Sequence, residues 1–477
     1  MRQNGKHTLP AVAVAALFPK SLMEKLAAVQ REFGGEIYLV GGSVRDLILK
    51  RPPGDLDLTV SCNAEQWAKH LQELSGGTFV ELGREEDAAR IVLRQGLDVD
   101  FSSFRSGARS IAEDLEQRDM TVNALAVPVH DLLTGHCGGQ EQDELPIIDP
   151  SNGLADLEQQ RIRVVTPKSF ADDPLRMLRV FRFAALLDFT IESETLEQIH
   201  QQRETLNRVA KERVAYELDL IMASPRAHQA FCAMRDCGLF WEILPELRAG
   251  QGMDQPASHH LDVFGHCLEA LKQMEQIIAD IKHYFPETSP VMEEYLGGKH
   301  RRVQMKWAAL LHDVGKPVTY GINEKKGGRI TFYNHDLRGA DILHRIARRL
   351  RWAKEDTSLI ARLIALHMRP FFLANNQRQG RLTLKACLRL IRKSKEHLPG
   401  LFLLAMSDAL AGKGETSPED IEQEVAGLFA RLLRVEEEHV TPVRTAPPLI
   451  TGRDLIEELH LTPGPLFKEI LKKVELA

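Results

Sequence analysis

The chain has 477 residues, 43% of them hydrophobic, which is enough for roughly three domains with sizeable cores. Its formal net charge is −6, so the protein is not a globally basic nucleic-acid binder, and any RNA surface has to be a local patch. The six cysteines form no Cys-x-x-Cys pair, which argues against a disulfide framework or a zinc knuckle and favours a reducing cytoplasm.

An apolar run near the N-terminus, residues 9–18, follows two basic residues and imitates a secretory signal. The run is too short to span a bilayer. It also leads into the helical spacing of Leu22, Leu26 and Val29. We therefore expect neither secretion nor a membrane partner.

The first chemical motif is a glycine turn in residues 38–46, where an apolar strand runs into Gly41-Gly42-Ser43 and a predicted helix. Such a turn offers backbone N–H groups and the positive end of a helix dipole, which suits a phosphate group. Ser43 is a candidate cap for the helix, and Arg45 adds a fixed positive charge. The sequence therefore predicts a phosphate cradle formed by Gly41, Gly42, Ser43 and Arg45.

A pair of carboxylates follows the glycine turn. Asp55 and Asp57 alternate with leucines, a strand pattern that places both carboxylates on one face about 7 Å apart. Two carboxylates opposite a phosphate cradle suit Mg²⁺, which prefers oxygen ligands and shares its coordination sphere with substrate phosphates. Asp100 lies in another alternating run and is a candidate third carboxylate. A lone Asp-x-Asp is as often a solvated strand face, so the prediction depends on its combination with the glycine turn.

Residues 39–46 and the Asp55-x-Asp57 pair resemble the class II nucleotidyltransferases that build the tRNA 3′ end, together with bacterial poly(A) polymerases. The resemblance covers nearly the whole chain. It implies a polymerase-β-like head followed by a neck, a body and a tail. Further matching motifs occur in the family's order, at residues 118–124, 148–150, 172–176 and 179–183.

The resemblance adds nucleotide-binding candidates in the head. Arg118 and Asp119 stand where a triphosphate and a ribose need a cation and a hydrogen-bond acceptor, and Asn123 belongs to the same motif. Relatives usually carry a second arginine before Arg118, where this chain has Gln117. Without the family, a surface salt bridge is the alternative explanation of this motif.

The next motif, Asp172-Asp173-Pro-Leu-Arg176, opens a predicted helix on which Asp173 and Arg176 share a face. In the family it acts as a protein template: the acceptors of Asp173 and the donor fork of Arg176 would match a base edge and select C and then A. Asp172, usually Glu in relatives, would orient them, and Arg179 and Arg182 would continue this face towards phosphates. A helix-start ion pair is the alternative.

A second candidate site lies downstream. His266, the adjacent His312 and Asp313, and Asp408 follow the order of an HD phosphohydrolase domain. Imidazole and carboxylate ligands together suit a second divalent metal, a transition ion with an open water position. The resemblance implies phosphatase or cyclic phosphodiesterase activity. His335 and His367 are candidates for extra ligands or substrate contacts; taken singly, each histidine is more often an ordinary core or surface residue.

The predicted fold class is α+β, because period-two patterns mix with helical ones up to residue 130 and helical spacing dominates after residue 150. Basic residues within 378–395 also predict one amphipathic helix, which is either a phosphate track for RNA or a solvated charged face. Strands are predicted at residues 36–40, 55–60, 78–82, 89–93, 98–104 and 122–127. The predicted domains are a nucleotidyltransferase head at 22–150, an RNA-binding neck and body at 151–250, an HD domain at 255–425 and a helical tail at 426–477.

The leading functional prediction is template-independent addition of C and A (CCA) to the tRNA 3′ end from CTP and ATP. Asp55 and Asp57 would hold two Mg²⁺ with help from Asp100; one ion lowers the pKa of the terminal 3′-hydroxyl and the other holds the triphosphate and leaving pyrophosphate. Relatives that make the whole CCA carry a longer loop after the third-carboxylate strand, so the short connection at 104–111 favours CC addition as a rival. Poly(A) polymerase, or an HD phosphohydrolase with an RNA-binding head, are further alternatives.

Overall fold

The structure is a computed structural model that describes residues 7–83, 87–94, 96–105, 107–134, 144–414, 418, 420–442 and 450–476. The chain divides into two compact units. Unit 1 comprises Met1–Ala249 and Ile346–Ala353, and unit 2 comprises Gly250–Arg345 and Lys354–Ala477. The described strands are β1 (Thr8–Pro10), β2 (Ile37–Val40), β3 (Asp55–Val60), β4 (Thr78–Gly83), β5 (Ala88–Val92), β6 (Asp98–Ser103), β7 (Ala126–Pro128), β8 (Glu144–Pro146), β9 (Arg161–Ile162), β10 (Thr190–Ile191), β11 (Tyr320–Asn323) and β12 (Arg329–Phe332).

The centre of unit 1 is a mixed sheet with the strand order β4-β5-β6-β3-β2-β7. Strands β3 and β6 run parallel, and the other neighbours run antiparallel. One face is apolar: Leu58 and Phe101 are buried there, and the Phe101 ring lies 6.5 Å from Trp67 of the helix Ala64–Ser75. Because successive strand residues alternate between faces, the polar residues between these apolar ones line the opposite face.

Helices surround this sheet and form the rest of unit 1. The N-terminal apolar run includes the helix Ala11–Ala15 and leads into the helix Lys20–Phe33, where Leu22, Leu26 and Val29 are buried as the helical spacing predicted. The helices are Ala11–Ala15, Lys20–Phe33, Gly41–Ile48, Ala64–Ser75, Ile111–Glu116, His130–Thr134, Gly153–Glu158, Ser169–Asp172, Arg176–Leu187, Ser193–Gln202, Lys211–Ala223, Ala227–Asp236 and Leu239–Ile243, with 3₁₀ turns at Thr121–Asn123, Arg203–Arg208 and Pro245–Gly250.

Unit 2 is almost entirely helical and is built around the helix Leu398–Ala411, which is buried at every position except Pro399. Its one described hairpin pairs β11 with β12. Its helices are Val263–Ala279, Ile281–Tyr284, Ser289–Tyr295, Lys299–Leu311, Lys354–Leu366, Met368–Arg378, Leu384–Ser394, Ile421–Val435, Gly452–Glu457 and Pro465–Leu476, with a π-helix at Glu436–Val440 and 3₁₀ turns at Pro317–Thr319, Glu324–Lys326 and Lys395–His397. The helix His335–Arg349 begins in unit 2 and ends in unit 1.

The predicted α+β class is confirmed, and five of the predicted strands appear within one residue at each end. The sixth was wrong in extent, because residues 121–123 form a 3₁₀ turn and β7 begins at Ala126. Thr121 is held away from the sheet, since its backbone N–H donates to the Arg163 carbonyl and its hydroxyl to Asp156. The four-domain division stays a prediction.

The predicted basic amphipathic helix within residues 378–395 is present but was wrong in extent, because it covers only Leu384–Ser394. One helix ends at Arg378 and the next begins at Leu384, because Gly380 adopts the left-handed conformation (φ 67°) and Thr383 caps the second helix. Arg378 is paired with Glu424. Among the described residues, the helical stretch Lys354–Arg378 is long and apolar enough to cross a bilayer, but 56% of its apolar window is buried inside the fold.

Candidate functional site

Strand β3 carries acidic side chains on the polar face of the sheet. Carboxylate oxygens of Asp55, Asp57 and Asp100 lie within 4.8 Å of one another. The register explains this, because Asp57 lies opposite Asp100 on the parallel strand β6, and residues paired in this way point to the same face. The predicted shared face is confirmed, and the three carboxylates form a group that fits a divalent cation.

The carboxyl groups of Asp55 and Asp57 both have raised pKa values. Burial raises the pKa of Asp57 to about 6, and the nearby carboxylates of Asp55 and Asp100 act in the same direction. Burial also raises the pKa of Asp55, with a further contribution from Asp100 and opposition from Arg90. A cation placed among these oxygens would relieve the repulsion and favour the ionised forms.

Arg90 on β5 supplies a cation to this group that the sequence did not reveal. Its guanidinium donates two hydrogen bonds of 2.7 Å to Asp100. The same guanidinium lies 3.5 Å from Asp55 and 3.4 Å from Asp98. Asp100 is therefore engaged by a forked ion pair, and its role as a third metal ligand stays a prediction.

The glycine turn packs directly beside Asp57. Gly41 has a φ of 63°, and a Cβ at Gly42 would lie 3.2 Å from Asp57 Oδ2. The expectation that Ser43 caps the helix was wrong, because the helix already begins at Gly41 with Val40 as its cap residue. The Ser43 hydroxyl instead donates to the Asp55 carbonyl (3.1 Å) and accepts from the Asp57 N–H (2.8 Å). Ser43 therefore ties the turn to the acidic strand.

Arg45 extends from the same helix and is buried. It donates to both oxygens of Asp46 (2.8 and 3.0 Å) and to Asn123 Oδ1 (2.6 Å). Its guanidinium also lies 5.5 Å from the centre of the Phe183 ring. The structure therefore brings together the predicted residues Arg45 and Asn123, which are 78 positions apart in the chain.

Arg118 lies next to the glycine turn, and Asp119 contacts the helix Arg176–Leu187, which we call the neck helix. Arg118 donates to Asp114 (3.2 Å) and to the Thr59 hydroxyl (3.1 Å), and a Cβ at Gly41 would approach its Nη1 to 3.0 Å. Asp119 accepts from Arg179 Nε (2.7 Å). Although burial opposes it, Arg179 holds the pKa of Asp119 well below its usual range. The predicted roles of Arg118 and Asp119 with triphosphate and ribose stay predictions.

The motif proposed to select the base differs from its expected geometry. The helix begins at Arg176, and Asp173 has an extended conformation, so the two residues do not share a helix face. Asp173 accepts from Arg213 Nη2 (2.9 Å), and Arg176 donates to the Gln117 carbonyl (3.1 Å). Pro174 explains the break, since proline disfavours helical conformation at the residue before it. Asp172 ends the preceding short helix and is exposed.

Downstream of Arg179, Arg182 continues the face of the neck helix as predicted, but it contacts a carboxylate. Its Nε lies 2.8 Å from Oε2 of the buried Glu217, and its guanidinium lies 4.3 Å from the Phe183 ring centre. Arg179 also approaches the same ring, at 5.5 Å. Arg45, Arg179 and Arg182 therefore converge on Phe183, and each of them is also paired with a carboxylate.

The second candidate site lies inside unit 2. His266 Nε2 lies 3.1 Å from His312 Nε2, 3.3 Å from Asp313 Oδ2 and 3.1 Å from Asp408 Oδ1. His312 Nε2 lies 3.1 Å from Asp313 Oδ2. The four predicted residues therefore meet in one buried cluster, although three separate elements and a turn carry them. Two imidazoles and two carboxylates at these distances fit a divalent transition ion.

His335 and His367 lie on the other side of Asp313. Their Nε2 atoms are 3.3 and 3.6 Å from Asp313 Oδ1 and 3.2 Å from each other. Asp313, His335 and His367 form a second buried group whose ligand atoms lie within 4.8 Å of one another. His259, which the sequence did not single out, forms a further such group with His266 and Asp408.

Charge is concentrated in this cluster. Although burial opposes it, His312 and Lys316 hold the pKa of Asp313 well below its usual range. The carboxylates of Asp313 and Asp408 outweigh burial and raise the pKa of His312 to about 10. Burial lowers the pKa of His335. The carboxylates of Asp313 and Asp408 are therefore ionised, and a positive charge placed beside them in this buried site would be strongly favoured.

A cavity of about 630 Å³ opens onto this cluster. Asp313, His335 and Asp408 contribute to its wall, and so do Lys316 and the exposed Arg369. Four aromatic side chains also line it, those of Phe332, Tyr333, Phe371 and Phe372. A cavity of this size that combines cations and aromatic rings beside a metal-type cluster suits a small anionic ligand with a planar group.

Family models match three parts of the chain. Residues 37–163 match the Poly A polymerase head domain, residues 188–250 match the Probable RNA and SrmB- binding site of polymerase A, and residues 263–410 match the HD domain. An A-adding tRNA nucleotidyltransferase of Deinococcus radiodurans is 32% identical over 446 residues, which are 91% of this chain and 89% of that protein. The chain belongs to the tRNA nucleotidyltransferase and poly(A) polymerase family. The enzyme class predicted from the sequence is therefore confirmed.

Other relatives of this nucleotidyltransferase differ in their named products. A multifunctional CCA protein of Pseudomonas paraeruginosa is 32% identical over 70% of this chain and 77% of its own length. A CC-adding tRNA nucleotidyltransferase of Geobacter sulfurreducens is 34% identical over 61% of this chain and 63% of its own length. These relatives therefore share one family and differ in the nucleotides that their names say they add.

Solved structures agree on the fold. A CCA-adding enzyme in an apo form aligns with a TM-score of 0.63 and 20% identity, covering 98% of this nucleotidyltransferase and 92% of that chain. A Thermotoga maritima CCA-adding enzyme complexed with tRNA aligns with a TM-score of 0.60 and 22% identity, covering 98% and 95%. These similarities confirm the arrangement of a mixed-sheet head followed by helices.

Several residues of the nucleotidyltransferase that matter to its sites escaped the sequence reasoning. Arg90 and Arg213 bind acidic residues that are adjacent only in the fold. Asp114 binds both Arg105 and Arg118 while fully buried. Two of them had a usable local signal: Asp114 stands four residues before Arg118, and Lys316 stands three residues after Asp313 and contacts it.

Proposed function

We propose that this nucleotidyltransferase adds nucleotides to the 3′ end of tRNA from nucleoside triphosphates, with Asp55 and Asp57 as ligands of Mg²⁺. The observation that carries the proposal is the position of Asp57, which is half-buried, lies beside two other carboxylates and is packed against Gly41 and Gly42. Mg²⁺ at these oxygens would lower the pKa of the terminal hydroxyl and neutralise the triphosphate. The chain's own contribution is to fix both carboxylates on a rigid strand.

The neighbouring residues prepare the space for the triphosphate. Gly41 and Gly42 keep the volume next to Asp57 free of side chains, because a Cβ at either position would come within 3.6 Å of its carboxylate. Ser43 positions the strand residues Asp55 and Asp57 through the backbone. We propose that Arg45, Arg118, Asn123 and Arg179 surround the bound nucleotide and that the three arginines supply positive charge there. Asp119 positions Arg179.

We propose that Asp173 and Arg176 read the base, with Arg213 controlling Asp173. Asp173 Oδ1 accepts from the Leu175 N–H at 3.1 Å, while Oδ2 is held by Arg213. The Asp173 carboxylate, which would face a base edge, is therefore held in place by Leu175 in the neck and by Arg213 in the body of unit 1. Asp172 supports this turn from its exposed position at the end of the preceding helix.

For the product, we propose adenylate addition to a tRNA that already ends in CC. One observation favours this choice over CC addition, and a second argues against the whole CCA. The relative that aligns over 91% of the chain is an A-adding enzyme. The connection between β6 and the helix Ile111–Glu116 spans only residues 104–110, and relatives that switch from C to A use a longer loop there.

The test offers purified protein three tRNAs that end at the discriminator base, in C and in CC, each with labelled CTP or ATP. Adenylate addition predicts label from ATP on the CC-ending tRNA and no incorporation of CTP. Incorporation of CTP alone would show a CC-adding enzyme, and addition of all three nucleotides would show a CCA-adding enzyme. Long tracts of A on an unrelated RNA would show a poly(A) polymerase.

A second candidate function is phosphohydrolysis in unit 2, and the cavity beside the histidine cluster favours it. Lys316 and Arg369 can receive an anionic phosphate ester, and the aromatic wall can receive a base or another planar group. His266, His312, Asp313 and Asp408 would hold a divalent metal. The predicted substrates are a phosphate monoester or a cyclic phosphodiester, tested with p-nitrophenyl phosphate and with a cyclic nucleotide.

We propose a reducing cytoplasm as the location and no membrane partner. Within the described residues, Cys62, Cys232, Cys237, Cys267 and Cys387 form no disulfide, which fits a compartment that keeps thiols reduced. Cys137 lies outside the described residues. Localisation of a tagged full-length chain would test both statements.

A further inference from the structure

The helix Leu384–Ser394 of unit 2 carries an exposed basic face that takes no part in the sites described above. Four cations on this helix are spaced at intervals of four, three and one residues, which places them on one side: Lys385, Arg389, Arg392 and Lys393. The opposite side is buried and comprises Cys387, Leu390, Ile391 and Ser394. We propose that this basic face binds the phosphate backbone of double-helical RNA, that of a tRNA stem. The proposal deepens the proposed function, on which it rests for the identity of the RNA.

The charge of the basic face is not neutralised by the protein itself. Within the part of the chain that the structure describes, none of its four cations forms an ion pair. Arg378, at the end of the preceding helix, is in contrast paired with Glu424. Residues 378–395 contain no acidic residue, although the whole chain has a net charge of −6. The positive charge is therefore concentrated locally and is free to meet an anion.

Helix formation alone does not explain this arrangement of charges. The helix dipole favours Arg392 and Lys393 in the last turn, but it disfavours Lys385 in the first. Arg389 lies four residues after Lys385 and four before Lys393, and like charges at that spacing repel each other on a helix surface. A bound polyanion would replace these repulsions by attraction, so the arrangement is the one expected of a binding surface.

Cations from other elements extend the basic face beyond one helix. Arg362 of a neighbouring helix donates to the Lys393 carbonyl at 3.0 Å. Burial lowers the pKa of His397, and although a neighbouring glutamate opposes this, Arg301, Arg362 and Lys395 act in the same direction. These three cations therefore lie near the end of the basic face. The fold assembles the positive surface from separate parts of the chain.

The chemistry of the basic face selects among possible polyanionic partners. The helix contains no aromatic residue, so it offers no platform on which the bases of single-stranded RNA could stack. Its apolar side packs into the core, so it lacks the continuous apolar face with which a helix enters a membrane surface. A protein partner would need a desolvated anchor that this face does not provide. A phosphate backbone needs only charge and forked hydrogen bonds, which lysine and arginine supply.

The dimensions of the basic face fit a nucleic-acid duplex. Lys385 and Lys393 lie about 12 Å apart along the axis at the rise of an α-helix. One strand of a duplex presents a phosphate about every 3.4 Å of its axis, so the face can meet about three or four phosphates. RNA double helices are recognised mainly through their backbone and shape. The face lies outside residues 151–250, where the sequence predicted RNA binding, and it adds a second RNA contact to the chain.

The test compares the full wild-type chain with a variant in which all four cations become glutamine: Lys385→Gln, Arg389→Gln, Arg392→Gln and Lys393→Gln. Fluorescence anisotropy measures the Kd of each protein for a labelled tRNA and for a plain RNA duplex, from about 50 to about 200 mM salt. We expect both Kd values to rise at least about tenfold in the variant, and the slope of log K against log salt to become shallower by about 2–4. Because the four side chains are exposed, the melting temperature should not fall.

A matched control removes the same charge from exposed cations on other elements of unit 2: Lys282→Gln, Lys325→Gln, Arg338→Gln and Arg345→Gln. This control should bind both RNAs as wild type does. Equal weakening of the two variants would reveal a general effect of net charge and overturn the proposal, and so would unchanged RNA binding by the variant of the basic face. Loss of binding to oligouridylate or to phosphatidylserine vesicles, with duplex binding intact, would identify a different partner and also overturn it.

Nucleotide addition separates this proposal from the proposed function. Where wild type adds nucleotide, the variant of the basic face should have a higher KM for tRNA and an unchanged kcat, because the lost contact binds the RNA outside the reacting groups. A KM equal to that of wild type would contradict the proposal. If wild type adds no nucleotide but binds the duplex through these four residues, the proposed function fails and the RNA contact stands.

Discussion

Arg90 donates two hydrogen bonds of 2.7 Å to Asp100, the carboxylate that lies opposite Asp57 on the neighbouring parallel strand. The same guanidinium is close to Asp55 and Asp98, so one arginine partly neutralises a face that carries four carboxylates. Arg90 and a bound metal therefore act on the same negative charge. This relationship makes the stability of the head depend on which cation is present.

Arg90→Gln should make folding stability depend on Mg²⁺. Without the guanidinium the carboxylates repel one another, so we expect the melting temperature in EDTA to fall by about 2–8 °C for a loss of about 1–2 kcal/mol. Saturating Mg²⁺ should recover most of the loss, because a divalent cation replaces the missing charge. Thermal unfolding with and without Mg²⁺ measures both effects. Arg94→Gln, at the exposed end of the same region, is the control, and an equal response of both variants would contradict the account.

Asp57→Asn should stabilise the metal-free protein at alkaline pH. Burial and neighbouring carboxylates raise the pKa of Asp57 to about 6, above its value in the unfolded chain. Ionised Asp57 therefore costs stability above pH 6, and the cost disappears as the pH falls from about 6 to about 4. In EDTA we expect the variant to melt a few degrees above wild type at pH 8, with no difference near pH 4. Mg²⁺ should reverse the order at pH 8 because only wild type binds the ion well.

Arg213→Gln should change the choice of nucleotide more than the rate of addition. The arginine holds Asp173 Oδ2 at 2.9 Å, so its loss leaves the acceptor free to adopt other orientations. We expect the ratio of kcat/KM for the preferred and the rejected nucleotide to fall by about tenfold, mainly through KM. Steady-state addition with ATP and CTP measures this ratio. Arg226→Gln removes a comparable surface pair with Asp188 and should leave the ratio unchanged.

His312→Gln should abolish hydrolysis of phosphate esters and preserve nucleotide addition. Its Nε2 faces both carboxylates of the cluster, so the loss removes a central metal ligand and we expect at least about 100-fold lower hydrolysis. Asp57→Asn is the reciprocal control, with hydrolysis intact and addition lost. If His312→Gln also lost nucleotide addition at unchanged melting temperature, the two activities would not be separate.

The sequence predicted the parts of the head that depend on local patterns. Strand alternation was sufficient for the shared face of Asp55 and Asp57, and the glycine turn was recognisable beside it. The forked pair of Arg90 with Asp100 was not predictable in this way, because it depends on the antiparallel register of β5 with β6. Periodicity therefore predicts which face a residue occupies, whereas its partner depends on strand order.

The neck and unit 2 show where helical spacing misled. Asp173 and Arg176 have the spacing of a helix face, but Pro174 prevents helical conformation at Asp173 and the acid turns to Arg213. Basic residues around Arg378 and Arg392 suggested one helix, but Gly380 ends the first one. His335 and His367 were recognised as candidates, whereas their position on the far side of Asp313 depends on close packing at Gly315.

The most direct test of the central claim compares wild type with Asp57→Asn in adding labelled nucleotide to tRNA ending in CC, at saturating Mg²⁺. Asp98→Asn, on the same face of the sheet, is the control for a general change of charge. We expect wild type and Asp98→Asn to add AMP, and Asp57→Asn to be at least about 1,000-fold slower while remaining folded. An Asp57→Asn enzyme that still adds nucleotide at a comparable, Mg²⁺-dependent rate would contradict the proposed role of Asp57.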